Sequence, residues 1–146
     1  MDLIKVNNNF AKRVIARYHK HFADSFKLLA ACQKGLNAEA VLDFISVSRL
    51  PNSDVGYLLN KSVITLTRHE AYGRLLNATT SEKLLCLFAL YERGISVFGS
   101  VDEFNSWLAM PAFGLGQLAP LSMLNTINGI QLVANELGRI EHGDLA

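Results

Sequence analysis

Between Leu84 and Tyr91 the chain reads LLCLFALY, a run with no charged residue and no turn former. It is far shorter than the ~20 apolar residues that cross a bilayer. It is also too evenly apolar to leave a wet side if it coils into a helix. Such a helix must lie at the centre of a domain or in a subunit interface. Just ahead of it, Thr79-Thr80-Ser81-Glu82 offers a capping box, in which the Thr79 hydroxyl accepts from the Glu82 amide and the Glu82 carboxylate reaches back. A helix is therefore predicted from this box to about Phe98, and the rest of the chain must supply amphipathic partners to surround it.

Those partners are visible, because three- and four-residue apolar spacing recurs in almost every segment while strict alternation is hard to find. The fold class is all-α. Phe10, Val14, Ile15, Tyr18 and Phe22 mark one side of a first helix, and Lys12, Arg13, Arg17 and Lys20 fall on the other. Gly35 closes the next apolar stretch, and Asn37 is placed to cap a helix from Ala38 to about Ile45. Pro51, Asn52 and Ser53 form a breaker and cap before Asp54 to Leu59, Lys61-Ser62 make a short turn, and Val63 to Ala71 follows. The β-branched Val63-Ile64-Thr65 could open a strand instead, but no comparable strand lies nearby to pair with it. Ser100-Val101-Asp102-Glu103 repeats the capping box before Phe104, Trp107 and Leu108. Pro111 to Pro120 reads as a loop, and Pro120 suits the first turn of a short helix. Ile127, Ile130, Val133, Ala134, Leu137 and Ile140 mark one face of a final helix ending before Gly143.

Net charge is only +1, yet eleven Lys and Arg oppose six Asp and Glu through Leu76, and three oppose seven from Asn77 onward. A basic front and an acidic back suit two different partners, one of them phosphate-bearing. The helix pair from Ser53 to Ala71 has the spacing of a helix-turn-helix, though short helix pairs are common in helical proteins. In that reading Thr65, Thr67, Arg68 and His69 face base edges or phosphates, with Lys61, Ser62 and Arg74 near the backbone of the DNA.

Signals for chemistry are weak. Gly114-x-Gly116 lacks the preceding strand, the third glycine and the lysine of a phosphate-binding loop, and reads as chain reversal. His19 and His21, two positions apart, point to different sides of a helix. Cys32 and Cys86 each sit in an apolar stretch as packed thiols. No nucleophile or carboxylate constellation stands out, so an enzyme is not expected, and neither is a metal or other cofactor. With no signal peptide pattern at Met1-Asp2 and no membrane-length apolar run, the expected location is the cytoplasm.

From Val97 the chain carries Phe98-Gly99, Trp107-Leu108, Pro111, Leu115-Gly116, Pro120-Leu121, Thr126, Gly129 and Arg139-Ile140-Glu141-His142-Gly143, in that order. This pattern resembles the C-terminal toxin-binding domain of the Xre/MbcA/ParS antitoxin family. Upstream, Gly35-Leu36-Asn37-Ala38-Glu39-Ala40, Thr65-Leu66-Thr67-Arg68, Leu76 and Ser81-Glu82-Lys83-Leu84 look like the family's Xre-type helix-turn-helix half. Two positions depart from the pattern: Arg68-His69 stands where two arginines are frequent, and Gln117 where a second glycine is frequent.

The resemblance implies a helical domain with an Xre-like helix-turn-helix over residues 1–96 and a small helical toxin-binding domain over 97–146. It implies an antitoxin of a type II toxin–antitoxin system, a RES-type toxin that degrades NAD as partner, and insertion of the antitoxin's C-terminal end into the toxin's active site. Repression of its own operon, and the homodimer that symmetric operator binding needs, are implied with it. The residues assigned to the toxin are Trp107, Pro111, Leu115, Arg139, Glu141, His142, Gly143, Leu145 and Ala146, of which Trp107, Pro111 and Leu115 shape the domain holding the tail. Loss of Arg139, or of everything after Gly138, is expected to abolish neutralisation and spare the fold. The alternatives are a stand-alone transcriptional regulator and an interaction module that does not bind DNA.

Overall fold

The computed structural model describes residues 3–143, and within them not the side chains of Ile4, His69, Glu70 and Ala71. Leu145 and Ala146, assigned above to a partner, lie outside the described residues. The described residues form the helices α1 (Leu3–Phe22), α2 (Ser25–Lys34), α3 (Glu39–Ser48), α4 (Asn52–Leu59), α5 (Val63–Ala71), α6 (Ala78–Phe98), α7 (Val101–Leu108) and α8 (Ile127–Glu141). Two short 3₁₀ turns lie between α7 and α8. No strand occurs among the described residues, and Val63-Ile64-Thr65 is the first turn of a helix.

The apolar run becomes the central pillar. Leu84, Leu85, Leu87, Phe88, Leu90 and Tyr91 are all buried within this one chain, with α1, α2, α3, α7 and α8 packed around α6. Their burial here leaves none of these six side chains for a subunit interface, which corrects that alternative. The helix also starts earlier than the capping box suggests. Asn77 is the N-cap, its side-chain oxygen accepting from the Thr80 amide at 2.8 Å, while Thr79 lies inside the first turn. Asn and Thr are both good caps, and the chain path into α6 decides between them. Likewise Asn52 and Ser53 fall inside α4, whose N-cap position is Pro51, so neither caps it.

Other local signals appear where expected. Gly35 ends α2 at φ 89°, a conformation that favours glycine, and a Cβ there would meet the Leu76 carbonyl oxygen at 2.4 Å. Asn37 accepts from the Glu39 amide at 2.9 Å to start α3. The Ser100 hydroxyl accepts from the Glu103 amide at 3.0 Å, and Thr126, which no sequence signal singled out as a cap, accepts from the Gly129 amide at 3.0 Å.

One hydrophobic cluster runs through both halves, from Ala11 and Val14 on α1 to Val133 and Leu137 on α8. The boundary drawn after residue 96 falls inside α6. Its aromatic centre is built edge to face, Phe44 against Phe88 and Tyr91 at 5.5 Å and Tyr91 against Phe104 at 4.9 Å. The Tyr91 hydroxyl, buried among these rings, donates to Asn105 Oδ1 at 2.7 Å, and Asn105 Nδ2 donates to the Ser48 carbonyl at 2.8 Å. Burial raises the Tyr91 phenol well above its ordinary range, so it stays a donor. Tyr91→Phe leaves Asn105 Oδ1 without that donor and is expected to lower stability by about 1–2 kcal/mol in urea denaturation.

Three bonds tie the front to the back. The Tyr57 hydroxyl at the end of α4 donates to the Ser122 carbonyl at 2.6 Å, and Asn60 Nδ2 to the Asn125 carbonyl at 3.1 Å. Lys83, buried on α6, donates to the same Asn125 oxygen at 2.8 Å. The α4–α5 pair and the segment leading into α8 are thus bonded directly to each other.

Candidate functional site

α7 ends at Leu108, and the chain then folds into a tight loop instead of a simple reversal. Ala112 donates its amide to Leu118 at 3.0 Å, and Gln117 donates to the Ala112 carbonyl at 3.1 Å. Closing it puts Gly116 and Gln117 both at φ 65°, which glycine adopts freely and glutamine does not. Gln117 is the position where the family pattern frequently has glycine, and the backbone supplies the reason for that preference.

Ala112 and Leu115 anchor this loop, both buried. Met110, Phe113 and Leu118 point outward, at 63%, 80% and 55% exposure. An aromatic ring that open, flanked by two further apolar side chains on a closed loop, leaves a concentrated apolar surface in water, which is the chemistry of a docking surface. None of the three was picked out by sequence reasoning. The only signal was their apolar character in a Gly- and Pro-rich stretch, and loop composition hid it.

The last turns of α8 brace the loop from one side. Gly114 packs on the Glu136 carboxylate so closely that a Cβ would lie 2.3 Å from Oε2. Arg139 donates to that carboxylate through Nε at 2.9 Å and through a terminal nitrogen, and its second contact is the Gly114 carbonyl at 3.5 Å. Arg139 is half-exposed while the Glu136 side chain is buried. The arginine therefore neutralises a buried carboxylate and pins the loop as well as facing solvent. Arg139→Ala is expected to lower stability by about 1–3 kcal/mol, with Glu136→Gln restoring part of it in the double variant, because a neutral amide needs no counter-charge. Thermal melts of the two single variants and the double variant measure this.

The remaining C-terminal residues divide. Trp107 is half-buried against Phe98 and Phe104, with ring centroids at 5.4 and 6.1 Å, so it shapes the module. Pro111 is exposed at the foot of the loop. Glu141 lies 3.7 Å from Arg93 of α6, and His142 and Gly143 are exposed at the end of α8. Leu115, Arg139 and the loop are brought together, whereas Trp107 and Glu141 have other neighbours.

The α4–α5 pair keeps the expected spacing. Val55, Leu58, Leu59, Val63 and Leu66 bury its inner side. Ser62 caps α5 by accepting from the Thr65 amide at 3.1 Å, and the two hydroxyls are 2.7 Å apart. Lys61 and Arg68 are exposed, and Arg74 lies over the Tyr72 ring, 5.8 Å from its centroid. Thr67 is half-buried, its hydroxyl donating to the Val63 and Ile64 carbonyls of its own helix. The side chain of His69 is outside the described residues.

The candidate sites named for other chemistry lead elsewhere. Burial pushes the Cys86 thiol up to about 11 and raises Cys32 as well, which keeps both protonated. His19 faces Glu92 at 3.1 Å and meets the Phe22 ring edge-on. Among the described residues no single helix is long and apolar enough to cross a membrane.

The described residues thus form an all-helical protein with an exposed apolar loop braced by its last helix. Residues 93–143 match the antitoxin Xre/MbcA/ParS C-terminal toxin-binding domain. An "Antitoxin Xre" of Photorhabdus laumondii is 36% identical over 67 residues, which span 45% of this chain and 45% of that protein. A "Prs ADP-ribosylating antitoxin" of a Sphingobium species is 27% identical over 127 residues, covering 81% of this chain and 80% of the relative. An "Antitoxin Xre" of Yersinia enterocolitica is 22% identical over 117 residues, with 80% and 79% covered.

Proposed function

We propose that this protein is the antitoxin of a type II toxin–antitoxin pair, acting in the cytoplasm, that captures a RES-type toxin with the C-terminal module and binds its own operator through α4–α5. The observation that carries the toxin half is the apolar loop of Met110, Phe113 and Leu118, standing beside Arg139 on the last turns of α8. Arg139 ties the loop to the last turns of α8, so a partner docked on the loop also meets the end of that helix. A cleft that accepts NAD is built for a charged dinucleotide, and Glu141 offers a charge-assisted contact there.

Two enzyme activities fit the partner. A toxin that degrades NAD and one that transfers ADP-ribose, the chemistry in the name of the Sphingobium relative, both consume NAD. Co-expression with the product of the adjacent gene, co-purification, and measurement of cellular NAD test the proposal. A complex and preserved NAD are expected. A neighbour that neither binds nor harms cells would overturn the antitoxin reading and leave a stand-alone regulator. Label transferred to protein, as opposed to free ADP-ribose, separates the two activities.

The operator half rests on Lys61 and Arg68, exposed on a helix pair whose spacing suits a major groove. Two copies are required for a symmetric site. Binding to the upstream region that weakens steeply with salt is the expected result. An interaction module without DNA binding would show no shift at any salt concentration.

A further inference from the structure

On the outer side of α5, Ile64 and Arg68 stand four residues apart and Thr65 and Arg68 three apart, the spacings that align helical side chains, and Lys61 stands in the turn just before the helix. Three of the four are polar, as a solvated or DNA-facing surface should be. Ile64 is the exception, with 68% of its surface open to solvent between the two cations. The inner side of the helix is supplied by Val63 and Leu66, both buried, so Ile64 is not needed for the core. Among the described residues neither Lys61 nor Arg68 enters an ion pair, which leaves both charges available on either side of it.

In a major groove the one apolar feature on a base edge is the 5-methyl group of thymine. We infer that Ile64 is a specificity-determining residue that packs on a thymine methyl in the operator, with Lys61 and Arg68 holding α5 on the flanking phosphates. Lys61 precedes α5 at the turn and Arg68 lies about one and a half turns along it, so this surface presents a charge, an apolar contact and a second charge along the groove. Ser62 and Thr65, whose hydroxyls are bonded to each other, hold the first turn of α5 and with it Ile64. This inference rests on the proposed operator binding and adds to it the chemistry of one base contact.

The test uses the full chain and the duplex upstream of its coding sequence, made once with thymine and once with uracil, which pairs identically but lacks the methyl. The wild-type protein is expected to bind the uracil duplex about three- to five-fold more weakly per half-site, the size of one buried methyl. Ile64→Ala is expected to bind both duplexes alike, at the affinity of the wild type for uracil, with an unchanged melting temperature and an unchanged salt slope. Arg68→Ala, by contrast, should reduce the salt slope and keep the thymine preference. Equal binding of the two duplexes by the wild type, or a preference that survives in Ile64→Ala, overturns the inference while operator binding stands. Failure of the wild type to bind either duplex at any salt concentration overturns the operator reading and the inference with it.

Discussion

Replacing Phe113 with aspartate is expected to weaken capture of the cognate toxin on the order of a hundredfold and to leave the melting temperature unchanged. The side chain is 80% exposed, so the fold gains nothing from it. A central aromatic anchor at an interface is worth roughly 2–4 kcal/mol when lost, and each 1.4 kcal/mol is about a factor of ten. Aspartate adds the desolvation of a charge in an apolar contact. Titration of purified toxin against the variant measures the effect. Undiminished binding would show that the loop is not the docking surface, and removal of residues 142–146 in a parallel variant reports on the chain end separately.

Gly129→Ala is expected to be the most damaging addition of a single methyl group. A Cβ at this position, in the first turn of α8, would sit 1.7 Å from the Met123 carbonyl oxygen and 2.7 Å from its carbon. Backbone, unlike a long side chain, cannot swing aside. The segment carrying Asn125 must shift, which pulls its carbonyl from the buried Lys83 amine and from Asn60. Burial already disfavours the Lys83 charge, so losing its acceptor is costly. Overpacking and the broken bonds together come to about 3–5 kcal/mol, or a melting temperature lower by roughly 10 °C. Gly116→Ala, with open space around its Cβ, is the control for left-handed strain alone. A Gly129→Ala protein as stable as that control would mean the turn before α8 can yield.

These two effects come from different parts of the same design. The loop has exposed apolar side chains because a short hydrogen-bonded closure and the Glu136–Arg139 pair hold it in shape from beneath. The turn before α8 is tight because it meets α4 and α6 at once. A change in the second should disturb the α4–α5 pair as well as α8, whereas a change in the first should be confined to the proposed toxin capture.

The sequence alone determined the helices and most of their ends. Apolar spacing places α1 and α8, caps, breakers and turns bracket α3, α4, α5 and α7, Ser100 and Gly35 mark a start and a stop, and the LLCLFALY run dictates that α6 be buried. These are local consequences of hydrogen-bonding geometry and of water's exclusion from apolar surface, and a few neighbouring residues suffice to read them. What only the tertiary structure decided is which residues meet. Asn77 rather than Thr79 caps α6 because of the path the chain takes into it. Arg139, which sequence reasoning assigned to a partner, lies on the buried Glu136 three residues away and on Gly114 twenty-five residues away. Phe113 is exposed, while Leu115 two residues on is buried, because the loop's closure turns one out and the other in. Helical periodicity has no meaning in such a loop, so the direction of its side chains is set by contacts that no local pattern records.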